Sequence, residues 1–340
     1  MNLSELKKFL DYTEKKINPI MEGLLSLYVD KENKETVYYQ ISTGGKRLRP
    51  ALAIACCNML GGIEEDVLYP AASLEILHNY SLIIDDIIDN SALRRKKPTF
   101  WFKFGKSIAD IIGIDYASAL FEGTNRSKKS KEVSEILSRA MKNLTDGEIL
   151  DVLFEKTGRE DEPFVRKNRY KKITEKDYFK MVSKKTAELI KASCEIGALM
   201  ANASKRESEL LINYGFNLGM AFQVQDDILD IFGTEKLFGK EIGKDIIESK
   251  RGNIVILYSL KELSVPDKKM FLEILNKRNK TKKEVKTAIQ LIKKTKGFSK
   301  ATSLKKDFIQ KAKRNLSFFP KNQWNKILKT IADFVIKRAR

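Results

Sequence analysis

Asp85, Asp86 and Asp89 stand in the run Leu74 to Arg95 (LEILHNYSLIIDDIIDNSALRR), crowded by Leu82, Ile83, Ile84, Ile87 and Ile88 and followed by Arg94 and Arg95. On a helix, residues four apart share one side, so Asp85 and Asp89 stack with Asp86 flanking them. Three carboxylates so close in apolar surroundings repel unless a cation neutralises them. A set of carboxylate oxygens suits a hard divalent ion such as magnesium. FQVQDDILD at 222–230 repeats the spacing with Asp226, Asp227 and Asp230, again inside an apolar run. Two such clusters predict a pair of facing metal-binding helices. Neither has the central glycine and terminal glutamate of a twelve-residue calcium loop.

Basic residues beside glycine accompany the clusters: Gly44-Gly45-Lys46-Arg47-Leu48-Arg49, Arg94-Arg95-Lys96-Lys97, and Gly239-Lys240 with Lys244. Divalent ions between carboxylates, with fixed cations opposite, are what a phosphate-rich leaving group requires. Pro50 can open a helix through ALAIACCNML, which puts Lys46, Arg47 and Arg49 at a helix N-terminus whose open N–H groups also favour anions. The expected result is a diphosphate seat, although Gly-Gly by itself signals only a turn. His78 lies seven residues before Asp85, two turns down the same face, as a donor to a bound anion. It is the one histidine of the chain, which excludes multi-histidine zinc or iron chemistry.

Helical periodicity accounts for the elements that must carry these groups. Residues 1–42 read as one or two helices, with Leu3, Leu6, Leu10 and Ile17 on a helical period and Pro19 marking a break or the first turn of the next helix. Gly61-Gly62 ends the helix after Pro50, and the first aspartate helix is expected to begin near Tyr69-Pro70. LRRKKPTFWFKFG at 93–105 reads as a basic loop and a helix start, followed by helices over 108–121 and 133–155. Thr157 to Lys172 is a charged stretch that reads as a mobile loop. Thr174 with Asp177 three residues on caps a helix whose periodicity runs from Tyr178 to Met200, and the second aspartate helix lies within 206–233. Lysine-rich amphipathic helices follow over 269–275, 283–294, 304–313 and 322–338. No segment alternates convincingly in the manner of a strand, so the fold class is all-α.

The 340 residues can bury a sizeable core, and 42% hydrophobic residues is ordinary for a folded chain. A net charge of +19 fits nucleic acid, an anionic membrane or anionic small substrates. There is no zinc-finger pattern, no basic region leading into heptads and no RNA-binding aromatic signature, so no nucleic-acid partner is expected. No stretch approaches the roughly 18 apolar residues of a transmembrane segment, and MNLSELKKFLDYTEKK lacks a secretory h-region. Cys56, Cys57 and Cys194 have no metal-ligand spacing and read as buried thiols in a reducing compartment, hence a cytoplasmic protein.

GGKRLRP at 44–50, DDIID at 85–89 with LRRKKPT at 93–99, Lys185-Thr186, FQVQDDILD at 222–230 and GKEIGKDIIESK at 239–250 occur in an order that resembles the trans-isoprenyl diphosphate synthases, or polyprenyl synthetases. The chain is most similar to archaeal-type short-chain geranylgeranyl and farnesyl diphosphate synthases. The resemblance runs from about 36 to 256 and continues more weakly through 261–340. It implies one domain over 1–340, with roughly ten to thirteen mostly antiparallel helices around a deep central cavity, and a homodimer.

For the residues, the resemblance implies two magnesium-binding walls, Asp85, Asp86, Asp89 and Asp226, Asp227, Asp230, holding about three Mg2+ ions per active site. Arg94, Lys185, Thr186, Gln223, Lys240 and Lys250 would bind the allylic diphosphate; Lys46, Arg49, His78 and Arg95 would bind isopentenyl diphosphate. The oxygens of Thr186 and Gln223, with the backbone carbonyl near Lys185, would stabilise the allylic cation. The implied reaction is a Mg-dependent head-to-tail (1'-4) condensation that releases diphosphate, with geranylgeranyl diphosphate as product. Farnesyl diphosphate or a longer C25 product is the alternative, and a transient membrane contact would let the lipid product leave.

Tyr80, five residues before Asp85, would floor the cavity with the small Ser81 beside it. On an ideal helical wheel Ser81 rather than Tyr80 shares the Asp85 face, so that role rests on the resemblance. Arg251-Gly252-Asn253, Trp101 and Gly113-Ile114-Asp115 depart from the usual pattern, which bears on substrate preference and leaves metal and diphosphate binding intact. A class I terpene cyclase needs no second substrate, and a regulatory subunit typically loses acidic ligands. The two complete clusters and the basic set Lys46, Arg49 and Arg95 weigh against both.

Overall fold

The computed structural model describes residues 3–233 and 242–337. The chain is all-α: among the described residues the only strands are two of two residues each. It divides into two compact units, the first formed by Met1–Lys142, Leu189–Gly215 and Ala312–Ala332, the second by Asn143–Glu188, Phe216–Lys311 and Asp333–Arg340.

The first unit opens with α1 (Leu3–Ser26), which buries Leu6, Phe9, Thr13, Ile17 and Met21, a stripe at helical spacing. The expected break at Pro19 does not occur, because α1 runs through it. Pro19 and Lys15, whose carbonyl loses its donor, both lie on the exposed side, where water can replace the missing hydrogen bond. After α2 (Lys34–Ser42), α3 (Leu48–Met59) is buried on every side from Pro50 to Cys57. The long α4 (Glu64–Ile88) starts well before Tyr69-Pro70. Glu64, Glu65 and Asp66 in its first turn complement the helix dipole, and Pro70 is absorbed within it.

The segment read as a basic loop forms a hairpin, β1 (Leu93–Arg94) with β2 (Lys97–Pro98), before α5 (Phe100–Phe104) and α6 (Lys106–Asn125). Arg95 and Lys96 turn it with φ of 53° and 65°, the two left-handed residues that a two-residue hairpin turn demands. α7 (Ser130–Phe154) follows.

In the second unit, Thr157 to Lys172 is partly helical and hydrogen-bonded to its surroundings. It contains α8 (Pro163–Asn168), and Val165 is buried. Arg169 donates to the carbonyls of Lys156 and Gly158, and Arg251 to those of Tyr170 and Lys171. Thr174 and Asp177 form the expected capping box of α9 (Glu175–Val182). The helix expected over Tyr178 to Met200 is interrupted, however, by a π turn at Ser183–Ala187, after which α10 (Glu188–Met200) begins. α11 (Lys205–Phe232) carries the second aspartate cluster. Among the described residues, the helices that follow α11 are Lys244–Ile247, Ile254–Leu260, Val265–Leu275, Lys282–Lys293 and Gly297–Leu316, and then Gln323–Lys337, which belongs to the first unit as far as Ala332. The core of this unit is built on Phe154, Tyr178, Val224, Ile228, Ile254 and Phe271.

Candidate active site

In the first unit, α4 ends on the aspartate cluster, with Asp89 as its C-cap. The hairpin returns Arg94 onto it: Nε donates to Asp86 Oδ2 at 2.9 Å and Nη2 to Asp85 Oδ2 at 2.8 Å. Burial works against the charged guanidinium, but Asp86 and Asp85 outweigh it and hold the Arg94 pKa above its ordinary value. Part of the neutralisation the cluster requires is therefore supplied by the chain. Asp86 is buried in this pair, whereas Asp85 keeps 22% of its side chain exposed.

Two turns back on α4, His78 lies among arginines. Burial, then the charges of Arg49, Arg95, Arg94 and Arg47, lower its pKa well below the ordinary value, so the imidazole is neutral and has one N–H to donate. Of the expected basic trio, Arg47 is buried and committed to the fold. It occupies the left-handed position before α3 with φ of 46°, and it donates to Asn18 Oδ1 at 2.8 Å, to the Ile41 carbonyl at 2.9 Å and to Glu75 Oε1 at 3.4 Å. Lys46 is exposed and Arg49 half-buried. Arg95 Nη1 would lie 3.2 Å from a β-carbon built on Gly45, which puts it against the Gly44–Arg49 turn. Arg49 on α3, His78 on α4 and Arg95 on the hairpin turn thus come together, and Lys46 stands in the turn that leads into α3. The Ser81 hydroxyl donates back to the His78 carbonyl at 2.7 Å, and the Tyr80 ring lies against Gly113 of α6.

In the second unit, α11 presents its three aspartates unequally. Asp226 is half-buried; Asp227 and Asp230 are buried. Asp227 accepts from Tyr178 Oη at 2.8 Å, Gln223 Nε2 at 2.9 Å and the Ile254 amide at 2.9 Å. Burial and then the charge of Asp245 push its pKa up to about 8, against those hydrogen bonds. Asp230 accepts from the Asp245 amide at 3.3 Å, and burial raises its pKa as well.

Gln223 is held at both ends, because Thr186 Oγ1 donates to its Oε1 at 2.7 Å. Thr186 stands on the π turn, a distortion that often marks a functional site. The same turn directs Lys185 Nζ to Asp151 Oδ2 at 2.7 Å and Glu148 Oε2 at 2.9 Å. Lys250 Nζ lies 3.5 Å from Asp151 and 3.2 Å from Glu248. Lys240 lies outside the described residues.

Sequence reasoning gave no role to Asp151, Glu148, Tyr178 or Asn253. The acidic pair in the second half of α7, three residues apart and hence on one face, was the available signal for the first two. Asn253, in the segment that departs from the family pattern, caps Ile254–Leu260 through the Val255 and Ile256 amides. It also donates to Asp245 Oδ2 at 2.8 Å and to the Asp227 carbonyl at 3.2 Å.

Among the described residues, no three His, Cys, Asp or Glu side chains close into a metal cage. Magnesium keeps several waters and is held by one or two carboxylates together with phosphate oxygens. The donor set fits, since both clusters offer carboxylate oxygen and each has a partly exposed aspartate, Asp85 and Asp226.

Residues 30–292 match the family model described as polyprenyl synthetase. The chain is 38% identical over 331 residues to the short chain isoprenyl diphosphate synthase of Methanocaldococcus jannaschii, covering 96% of this chain and 95% of that protein. Its structure resembles the polyprenyl synthase of Caulobacter crescentus complexed with calcium and isoprenyl diphosphate, with TM-score 0.87, 27% identity and coverage of 100% and 98% of the two chains. It also resembles the geranylgeranyl pyrophosphate synthetase of Pyrococcus horikoshii, with TM-score 0.85, 30% identity and coverage of 98% and 99%. With its two aspartate clusters, the arginines around His78 and this match over most of its length, the chain belongs to the polyprenyl synthetase family of prenyltransferase enzymes.

Proposed function

We propose that this enzyme condenses isopentenyl diphosphate with allylic diphosphates, head to tail (1'-4) and with magnesium, and that its product is geranylgeranyl diphosphate. The observation that carries the reading is the pair of anion seats on α4. One is the carboxylate cluster of Asp85 and Asp86 with Arg94. The other, around His78, Arg49 and Arg95, is cationic and needs no metal. Two diphosphate substrates call for two such seats, whereas a cyclase needs one.

In this reading the metal-binding residues are Asp85, Asp86 and Asp89 at the end of α4 and Asp226, Asp227 and Asp230 of α11. The buried Asp227 and Asp230 hold the helix end that presents Asp226. Bound magnesium, about three ions, supplies the positive charge that stabilises the departing diphosphate. Arg94, Lys185, Lys240 and Lys250 add fixed cations to that group. Thr186 and Gln223, locked by their hydrogen bond, turn oxygen towards the allylic cation. Lys46, Arg49, His78 and Arg95 hold isopentenyl diphosphate so that its double bond meets the cation. The released diphosphate takes the final proton, since no protein base stands out.

The chain acts as one domain, which the family match across residues belonging to both units supports. Exposed Ile108, Ile111, Ile114 and Phe121 on α6 support a homodimer. No described helix is long and apolar enough to cross a membrane, and a cytoplasmic enzyme that touches the bilayer to release product fits that. Tyr80 as floor and the geranylgeranyl synthetase likeness support the product.

The test is a chromatogram of products from purified enzyme with magnesium, isopentenyl diphosphate and each allylic starter. Accumulation of geranylgeranyl diphosphate is expected. Farnesyl or C25 product would correct the length alone, and no product longer than the starter would remove the reading. Turnover without isopentenyl diphosphate would favour a cyclase.

A further inference from the structure

The Tyr80 ring rests on a place where α6 has no side chain. A β-carbon built on Gly113 would stand 2.6 Å from Tyr80 Cε2 and 3.3 Å from both Cζ and Oη, and all three nearest atoms belong to that ring. At Gly123, further along the same helix, the nearest atoms are instead Ser73 Oγ at 2.2 Å and Leu24 Cδ1 at 2.9 Å, the ordinary crowding of packed helices. Gly113 sits in mid-helix on the buried face with Ala109, Ile112 and Tyr116. It has no positive φ that would call for glycine. Glycine there costs α6 roughly 1 kcal/mol relative to alanine. The room it leaves for the Tyr80 ring is the compensating feature on the page.

We infer that Gly113 sets product length by seating the Tyr80 ring against α6. The inference rests on the reading of Tyr80 as the floor of the prenyl cavity. A methyl group at 113 would stand where the ring edge now lies, well inside any real contact distance. The atoms it meets are the far end of a side chain, so the ring gives way before either helix backbone does. Displaced from α6, the ring moves into space the growing hydrocarbon occupies, and the floor rises. Gly113 is thus a specificity-determining residue that acts through Tyr80 and touches no substrate.

Product chromatography of the full-length enzyme, with magnesium, isopentenyl diphosphate and geranyl diphosphate, tests this on four proteins: the parent, Gly113→Ala, Tyr80→Ala and the double variant. Gly113→Ala is expected to end one or more isoprene units shorter than the parent and Tyr80→Ala to end longer. The double variant should match Tyr80→Ala, because without the ring the extra methyl has nothing to push. Parent-length or longer products from Gly113→Ala, or a double variant shorter than Tyr80→Ala, would overturn the inference while leaving the Tyr80 reading in place. Unchanged products from Tyr80→Ala would overturn both. If Gly113→Ala alone fails to fold, adding Tyr80→Ala must restore soluble enzyme with long products, and failure to do so also counts against the inference.

Discussion

The Lys185 ammonium stands 2.7 Å from Asp151 Oδ2 and 2.9 Å from Glu148 Oε2, so a cation assigned to the allylic diphosphate is held by two carboxylates of α7. Lys185→Ala should act twice. Losing a charge-assisted contact to the leaving group should lower kcat/KM for the allylic diphosphate about a hundredfold. Removing this ammonium from Asp151 and Glu148, while Lys250 stays 3.5 Å from Asp151, should cost about 1 kcal/mol of stability. Steady-state kinetics and a urea melt measure the two effects separately, and an unchanged allylic kcat/KM would remove Lys185 from the site.

Gly147→Ala is expected to damage the same place by another route. Its β-carbon would lie 2.3 Å from the Lys185 amide nitrogen and 2.7 Å from Lys185 Cα, backbone atoms that cannot swing aside. Overpacking of this kind costs roughly 1–3 kcal/mol. Because the π turn also carries Thr186, activity should fall further than the loss of folded protein explains. Activity per folded molecule, measured alongside circular dichroism, checks this.

Ile111→Glu tests the exposed apolar stripe of α6. A carboxylate in the middle of Ile108, Ile111, Ile114 and Phe121 should split a dimer that buries that face. Light scattering is expected to give about twice the chain mass for the parent and the chain mass for the variant. A dimeric variant would place the interface elsewhere.

The three thiols are buried, and burial raises the pKa of Cys56 well above its ordinary value and that of Cys57 up to about 12. A raised thiol pKa means that the reactive thiolate appears only as pH climbs towards that value. At about pH 8 the native enzyme should therefore react negligibly with a disulfide reagent on a timescale of minutes. In urea, all three thiols should react. Fast native labelling would contradict their burial.

What was legible in the sequence was local. The Asp85 and Asp226 clusters are spacing within single helices, and the Thr174–Asp177 capping box is a three-residue rule that α9 obeys. Pro19 and Pro70 misled because continuous packing on either side outweighs one missing hydrogen bond. The hairpin at Arg94–Lys97 was missed because Arg95-Lys96 lacks the Asn-Gly or Asp-Gly signature of such turns.

The remaining misses are long-range. Lys185 with Asp151, Tyr178 with Asp227 and Tyr80 with Gly113 each join residues more than thirty positions apart, which no helical period encodes. The π turn at Ser183–Ala187 belongs with them, because it lies directly against Gly147 of α7.

We propose that both aspartate clusters serve one magnesium-dependent ionisation. Diphosphate release from farnesyl or geranyl diphosphate with isopentenyl diphosphate, measured for Asp85→Asn, Asp226→Asn and the pair together, decides it. Each single variant should lose about a hundredfold or more in kcat. The double variant should lose much less than the product of the two, as groups acting on one transition state do. An Asp226→Asn enzyme that turns over at the parent rate would contradict the claim.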